Sequence, residues 1–369
     1  IVTDGSSMGV LVHDLNVLLN GGSLPPLARP YRAVVTEVLQ RLNEVDLAPH
    51  EDYWRGVFAE GVPRLELPTD RRRTGVVAGR GETISALLGP ELLACIKEYA
   101  SERGLTLFMV LFGVLHQVLS RASGQDDLVI GTPVMGRADV RDHEHIGMFV
   151  NTLPIRLASD HGWTVGDFTS AVRATVLDAF AHQALPLERL IAALGMPRDP
   201  GRRPLFDVCY AHQNIDMGLD FDDGTTWVPF DDGTAKYDIT VTTREASDGL
   251  HLDWEYATAL FDEATIVRHI ERFQQLLGAL VAAQEEAELA GLDLLPAHET
   301  ELLTCWGAGP ARAESAVSIV DLFQQCVASR PNHPALVHGA ERLTYGMLDA
   351  RADQVAHALV AHGVGPGDR

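Results

Sequence analysis

The chain has 369 residues, 46% of them apolar, and Lys+Arg 29 against Asp+Glu 51 leave a net charge of −22. That acidity argues against a nucleic-acid binder, which needs positive charge to displace counterions, and disfavours a protein held on anionic lipid. Cys95, Cys209, Cys305 and Cys326 lie far apart with no CxxC pair, which excludes a disulfide-dense scaffold or zinc ribbon and fits a reducing compartment.

At roughly 150 residues per domain the length predicts two to three domains. Ile1-Val2 reads as the end of a buried strand and Asp4-Gly5 as a turn. A helix follows, capped by Ser6 or Ser7, with Met8, Leu11, Leu15, Leu18 and Leu19 on one apolar face and Gly21-Gly22 ending it. A further helix is predicted around Val34–Leu42. Pro90 to Glu102 reads as an amphipathic helix with Pro in its first turn. Thr106 to Ala122 is apolar nearly all round, which predicts a helix central to a core. Leu105 to Leu119 is the longest strongly apolar stretch and is too short to cross a bilayer.

Leu128-Val129-Ile130 reads as a short buried strand; Met148-Phe149-Val150 and Leu153 to Leu157 read as further strand. Val165 to His182 and Leu187 to Leu194 predict helices. Three strands follow: Leu205 to His212, Tyr237 to Thr243, and the strictly alternating Leu250 to Tyr256. A long helix, Asp262 to Ala283, closes this region. Residues 284–316 change character, with an acidic entry at Glu285-Glu286-Ala287-Glu288 and Pro296, Gly307, Gly309 and Pro310 beyond, and read as an interdomain linker. The pattern then restarts with a helix Ile319–Ala328, strands through Ala335–Val337 and Leu343–Tyr345, and a helix to His362. The first residue is Ile rather than Met, no signal peptide is legible, and the chain stops on a turn-like Gly365-Pro366-Gly367-Asp368-Arg369, so both ends read as cuts within a longer protein.

From the residues alone the chemistry is sparse. Asp4-Gly5-Ser6-Ser7 puts a carboxylate and hydroxyls on a strand-to-helix turn, where helix amides can face a crevice; an ordinary cap is the competing reading. His143 and His145 flank Glu144 but lack further metal ligands, which favours a surface loop. Asp216, Asp220, Asp222, Asp223, Asp231 and Asp232 crowd one segment and miss the calcium-loop spacing, so they read as an exposed acidic loop. The cysteines read as small apolar packing residues.

Taken together in order, the segments resemble a condensation domain of a nonribosomal peptide synthetase joined to the start of an adenylation domain. Ile1-Val2-Thr3-Asp4-Gly5 is similar to the last five positions of the family signature HHxxxDG; the two histidines would immediately precede Ile1. Leu65 to Asp70 is similar to the LELPTD segment linking the family's two lobes, and Ile130 to Arg137 to its IGTPVAGR stretch. Ile146 to Arg156 is similar to IGxFVNTLPLR, His182 to Leu190 to HQDVPFERL, Arg203 to Val208 with Gln213-Asn214 to SPLFQV…QN, and Tyr237 to Val241 to YDLTL. Leu343 to Ala352 resembles the first adenylation motif, LTYxELNxRA, with Met347 and Asp349 replacing its Glu and Asn.

The resemblance implies an α/β fold of two chloramphenicol-acetyltransferase-like lobes arranged as a V around a tunnel. It places a partial condensation domain over 1–283, with 1–75 a remnant of the first lobe and the lobe connection and 76–283 an essentially complete second lobe. A linker over 284–316 and the edge of an adenylate-forming domain over 317–369 follow. The implied reaction joins a donor acyl or peptidyl thioester to an acceptor aminoacyl thioester, both on phosphopantetheine arms of upstream and downstream carrier domains. An epimerisation-type or non-catalytic, partner-recruiting member of the fold is the alternative. Asp4 and Gly5 are the signature remnant, Asp4 is expected to pair with Arg137, and Ser7 and Asn151 are candidates for lining the tunnel. Without the two histidines the 369 residues alone are expected to be inactive. No metal or cofactor is expected on this stretch, ATP and Mg²⁺ belonging to the complete adenylation domain, whose remainder is a partner in cis. Neither nucleic acid nor membrane is an expected partner, and the expected location is cytoplasmic.

Overall fold

The computed structural model describes the chain apart from residues 1–2, 28, 45–46, 74, 76–78, 138–139, 161, 197–198, 214–232, 310–316, 366 and 369. The expected strand end at Ile1-Val2, the acidic segment from Asp216 to Asp232, and Asn214 therefore lie outside the described residues. The chain divides into two units, Ile1–Thr300 and Glu301–Arg369.

The first unit opens with α1 (Gly5–Leu19), α2 (Tyr31–Glu44) and α3 (Ala48–Val57). Next come β1 (Gly81–Leu88), α4 (Pro90–Glu102), α5 (Leu107–Ser123), β2 (Asp127–Val134), a 3₁₀ turn Val140–Glu144 and β3 (Asn151–Ala158). After these follow α6 (Val165–Ala181), α7 (Leu187–Ala193), β4 (Val208–Gln213), β5 (Ile239–Ala246), β6 (Gly249–Ala257) and α8 (Glu263–Ala282). A six-stranded mixed sheet in the order β1-β6-β5-β4-β2-β3 organises it. β4 runs parallel to both neighbours and the other pairs are antiparallel.

The apolar sequence of α5 has a direct consequence. Every residue from Met109 to Ser120 is buried, because the helix touches α4, α6, α8 and β2 at once. Thr106 caps it, accepting the Met109 amide at 3.2 Å, and Gly124 ends it in the left-handed region. Its Phe112, Leu115 and Leu119 belong to one core cluster with Phe168, Trp254 and Phe273. Burying side chains of this size is worth about 1.5–3 kcal/mol each.

Two glycines of the Ile130–Arg137 stretch set the path of the chain toward the site. A β-carbon on Gly131 would lie 2.1 Å from the Phe206 ring, so β2 can lie flat under that ring only here. Gly136 has φ +60°, and a β-carbon on it would lie 1.9 Å from the Phe149 carbonyl oxygen. The turn it makes sends Arg137 back under the 142–149 loop.

Segment 285–292, within the expected linker, is docked on the first unit. Ala287 and Glu285 carbonyls accept the Val165 and Gly166 amides at 2.9 Å each, satisfying the orphan donors at the start of α6. Arg121 donates to the carbonyls of Leu289 and Leu292 at 2.5 and 2.6 Å. Then comes α9 (Ala297–Ala308). The second unit holds α10 (Ile319–Ser329), the antiparallel pair β7 (Pro334–His338) and β8 (Glu341–Thr344), and α11 (Tyr345–Ala361). No single helix among the described residues is long and apolar enough to cross a membrane.

Several expectations need correction. The cap of α1 is Asp4, not Ser6 or Ser7: its carboxylate accepts the Ser7 amide at 2.9 Å. The apolar stripe of α1 is present but not buried; Leu11, Leu15, Leu18 and Leu19 are exposed, and Ser7 and Val12 turn inward instead. Met148 to Val150 is not strand; β3 starts at Asn151, after Gly147 and Phe149 have been drawn inward by side-chain bonds. Cys209 packs in the core as expected, its thiol pushed up to about 12 by burial, but Cys95 and Cys305 are exposed.

Candidate functional site

The site forms where the start of α1 meets the loop between β2 and β3. Asp4 occupies the cap position because a short carboxylate there reaches the third amide of the helix. Its Oδ1 also accepts Arg137 Nη2 at 2.8 Å and the Ser7 hydroxyl at 2.7 Å, while Oδ2 accepts the Phe149 amide at 3.0 Å. The Asp4 and Arg137 side chains are 1% and 0% exposed. Burial pushes the Asp4 carboxyl upward, but the bonds from Ser7, Arg137 and the Phe149 amide outweigh it and hold the group below the ordinary carboxylate range.

Arg137 is gripped on its other side as well. Nη1 donates to the carbonyls of Asp142 and His145, the latter at 2.9 Å. The Phe149 ring stands 4.3 Å from its guanidinium carbon. Ser7 completes the network: Oγ lies 2.8 Å from Arg137 Nη2, accepts the Gly147 amide at 3.0 Å, and stands 2.9 Å from the Gly147 carbonyl. One hydroxyl proton serves either Asp4 or Gly147 O; the charged acceptor at the shorter distance is favoured. The arrangement is a closed ion pair that holds the Asp4-Gly5 turn to the 142–149 loop.

Of the sequence-derived candidates, Asp4, Ser7 and Arg137 come together in this network. Gly5 is exposed at the first position of α1 and puts no side chain on the turn. Ser7 is fully buried and faces no open space, because its hydroxyl is surrounded by its four partners. Asn151 is tied down differently: Nδ2 donates to the carbonyls of Gln183 and Leu185 at 3.0 and 2.9 Å, and Oδ1 accepts the Leu187 amide at 3.1 Å. It clamps the 183–187 turn. The same turn is braced by His182, whose ring stacks on Tyr53 at 4.1 Å and whose Nδ1 meets His50 Nδ1 at 3.1 Å.

Other residues escaped the sequence. His145 is buried rather than on a surface loop, with Nε2 2.9 Å from the Arg29 carbonyl, and Asp142 takes Arg29 Nη2 on Oδ1 at 2.9 Å. The three-residue spacing of Asp142 and His145, one edge of a 3₁₀ turn, is the only sequence signal that joins them. Nothing in the sequence marks Arg29. Ile146, Met148 and Val150 turn outward, and with Met135 they leave four exposed apolar side chains beside the network. No group of three or more metal-ligating side chains occurs among the described residues. A cavity of about 330 Å³ opens near the opposite end of β2, lined by Gln117, Arg121, Asp126 and Ser159 among others, and shares no residue with the network.

The family model described as Condensation domain matches residues 1–304, and the one described as AMP-binding enzyme matches residues 323–369. Tyrocidine synthase 2 of Brevibacillus parabrevis is 35% identical over 373 residues, covering 99% of this chain and 10% of that protein. Surfactin synthase subunit 1 of Bacillus subtilis (strain 168) is 34% identical over 376 residues, covering 100% of this chain and 10% of that protein. The chain thus spans about a tenth of the length of these curated relatives. Among solved structures, holo-AB3403, a four-domain nonribosomal peptide synthetase bound to AMP and glycine, superposes with a TM-score of 0.74 at 21% identity, over 99% of this chain and 29% of that one. The X-domain from teicoplanin biosynthesis superposes with a TM-score of 0.70 at 23% identity, over 80% of this chain and 70% of that one. These two likenesses establish the fold.

Proposed function

The chain belongs to the condensation-domain family and runs on into the start of an adenylation domain, and from that premise we propose that it forms amide bonds within a modular nonribosomal peptide synthetase. The acceptor amine on one carrier's phosphopantetheine arm attacks the donor thioester carbonyl on another. A C–N bond forms, the C–S bond breaks, and the amine proton ends on the departing thiol. Both arms are substrates delivered by carrier domains, and holding them together supplies the entropic part of the rate.

Within this reading the roles of the chain's own residues follow from the geometry. Asp4 and Arg137 are structural at the site: each is closed to solvent and held by protein groups, Asp4 through both carboxylate oxygens and Arg137 through both terminal nitrogens, so neither is available to exchange a proton with an amine. They fix the turn that carries the signature. Gly5 leaves the start of α1 without a side chain where two arms must meet. The base or positioner of the amine is the second histidine of the signature, which would stand just ahead of Ile1 in the parent chain. A polypeptide of these 369 residues alone would lack it and should not turn over. Met135, Ile146, Met148 and Val150 offer an apolar wall beside the turn.

The observation that carries the reading is the Asp4–Arg137 pair at the base of the signature turn, in a chain matched to the family along its first 304 residues. Its test is transfer between two loaded carriers catalysed by the parent module, with the second signature histidine replaced by alanine as the control. Transfer that depends on that histidine supports amide formation; a parent whose second histidine is absent, or replaceable without loss, points to the partner-recruiting alternative.

A further inference from the structure

Most of α5 is apolar, yet near its end it carries a polar face. Gln117, Ser120, Arg121 and the capping Gly124 recur at i, i+3, i+4 and i+7 and so lie on one side of the helix. That side lines the cavity of about 330 Å³, together with Asp126, Ser159 and Asp160, and the docked 285–292 segment adds Leu289 and Ala290. Gln117 and Ser120 are buried while Gly124, Asp160 and Ala290 are exposed, so the cavity runs from the interior to the surface. Its volume lies at the lower end of small-molecule sites, roughly 300–1,000 Å³.

The lining carries both signs of charge. Arg121 gives one bond from each terminal nitrogen to a carbonyl, Leu289 at 2.5 Å and Leu292 at 2.6 Å, and pairs with no carboxylate among the described residues. Burial pulls its guanidinium below the ordinary range, whereas at Arg73 and Arg156 an aspartate partner reverses the same effect. A guanidinium has five N–H donors in a planar fork suited to a carboxylate, and the two carbonyls leave part of that fork for one. Beside it stand the Asp126 and Asp160 carboxylates with two hydroxyls and an amide. The contacts among these are long: Ser120 Oγ to Asp126 Oδ1 is 3.5 Å and Gln117 Nε2 to Ser159 Oγ is 3.3 Å. Ordinary bonds of these kinds are about 2.7–3.0 Å, so the Ser120 hydroxyl and Gln117 amide keep capacity for a closer partner.

A plain anion would face two aspartates here, and a plain cation would face the arginine; a molecule bearing both charges meets each with its complement. We propose that this cavity binds a small zwitterion of the free amino-acid class, its carboxylate on Arg121 and its ammonium group toward Asp126 and Ser120. The site shares no residue with the Asp4–Arg137 network, so it stands independently of the amide-forming reading. Because Arg121 also holds the 285–292 segment, a carboxylate bound on it sits against that segment and the end of α5 together.

Hydrogen exchange on the parent synthetase, read by mass spectrometry peptide by peptide, tests this with glycine, L-alanine and L-serine at about 10 mM. Being local, the signal excludes binding elsewhere in the parent. At least one of the three should slow exchange about tenfold in peptides covering 121–126 and 285–292, the protection expected at ten times Kd. The amide and the N-acetyl derivative of the same amino acid, which lack the carboxylate and the ammonium charge in turn, should not. Arg121→Met should abolish the protection, but it also releases the 285–292 segment. Asp126→Asn leaves the Arg121 bonds in place and should abolish it as well. No protection from any of the three amino acids would overturn the proposal. So would equal protection by either blocked derivative, or protection that survives Asp126→Asn. Should a variant not fold, the blocked derivatives on the unaltered protein still decide.

Discussion

Asp4 and Arg137 are 133 residues apart in sequence, yet their side chains meet at 2.8 Å with almost no solvent contact. The same carboxylate caps α1. One residue therefore joins the start of the first helix to the loop after β2, and the consequences of altering it are calculable.

Asp4→Ala removes a cap and leaves the Arg137 cation buried without its carboxylate. The expected loss of stability is about 3–5 kcal/mol for the stranded charge, with ~1 kcal/mol more for the cap. Urea unfolding of the parent condensation domain measures it. The pair also has a pH signature. Asp4 sits below its ordinary value when folded, so its contribution is complete above the unfolded value of about 4 and is lost as pH falls through the folded value.

Two buried histidines act at higher pH. Burial holds His116 and His269 at about 4, with neighbouring Arg272 and Arg268 adding to the effect at His269. The unfolded chain takes up these protons near pH 6.5 and the folded one does not, so stability falls between roughly pH 6.5 and 4, by up to roughly 3 kcal/mol for each histidine. His116→Gln keeps a donor for the Leu157 carbonyl, which His116 Nε2 meets at 2.8 Å, but cannot titrate. Its unfolding free energy should fall less steeply across that window than that of the unaltered protein; equal slopes would contradict the assignment.

The two glycines before Arg137 should respond differently to alanine. At Gly131 the obstacle is the Phe206 side chain, so Gly131→Ala should destabilise by about 1–3 kcal/mol and Phe206→Leu should recover part of that loss. At Gly136 the obstacle is the Phe149 backbone and φ is +60°, so no side-chain substitution at 149 should rescue Gly136→Ala. Thermal unfolding of the single and double variants separates the two cases.

Asn151 offers a local test. Asn151→Asp keeps the acceptor for the Leu187 amide but points a carboxylate at the carbonyls of Gln183 and Leu185. It should be more damaging than Asn151→Ala, whose expected cost is about 1–3 kcal/mol. Hydrogen exchange in the 183–187 turn should accelerate in both variants ahead of the sheet.

Much of the fold could be read from local pattern because pattern and burial agree there. The Pro90–Glu102 helix has its observed bounds, and the alternating Leu250–Tyr256 run lies within β6. β1 escaped because its half-exposed sequence, Gly81 to Leu88, follows a loop and alternates weakly; it stands at the edge of the six-stranded sheet, beside β6. α9 escaped because its residues, none of them buried, follow an acidic run that reads as linker. At the site, Asp4 and Arg137 could be named from family motifs. Arg29 could not, since Asp142 and His145 lie more than a hundred residues away, in and just after a 3₁₀ turn, and no local rule links them to it.

The most direct measurement of the central claim is single-turnover transfer from a loaded donor carrier to a loaded acceptor carrier, followed by intact-protein mass spectrometry on the parent module and its Asp4→Ala variant. The unaltered module should add the donor acyl mass to the acceptor carrier. The variant should load both carriers normally but transfer at least about a hundredfold more slowly, the penalty for misplacing a reacting group. Transfer at the unaltered rate in a folded Asp4→Ala module, or none in the unaltered one, would contradict the account.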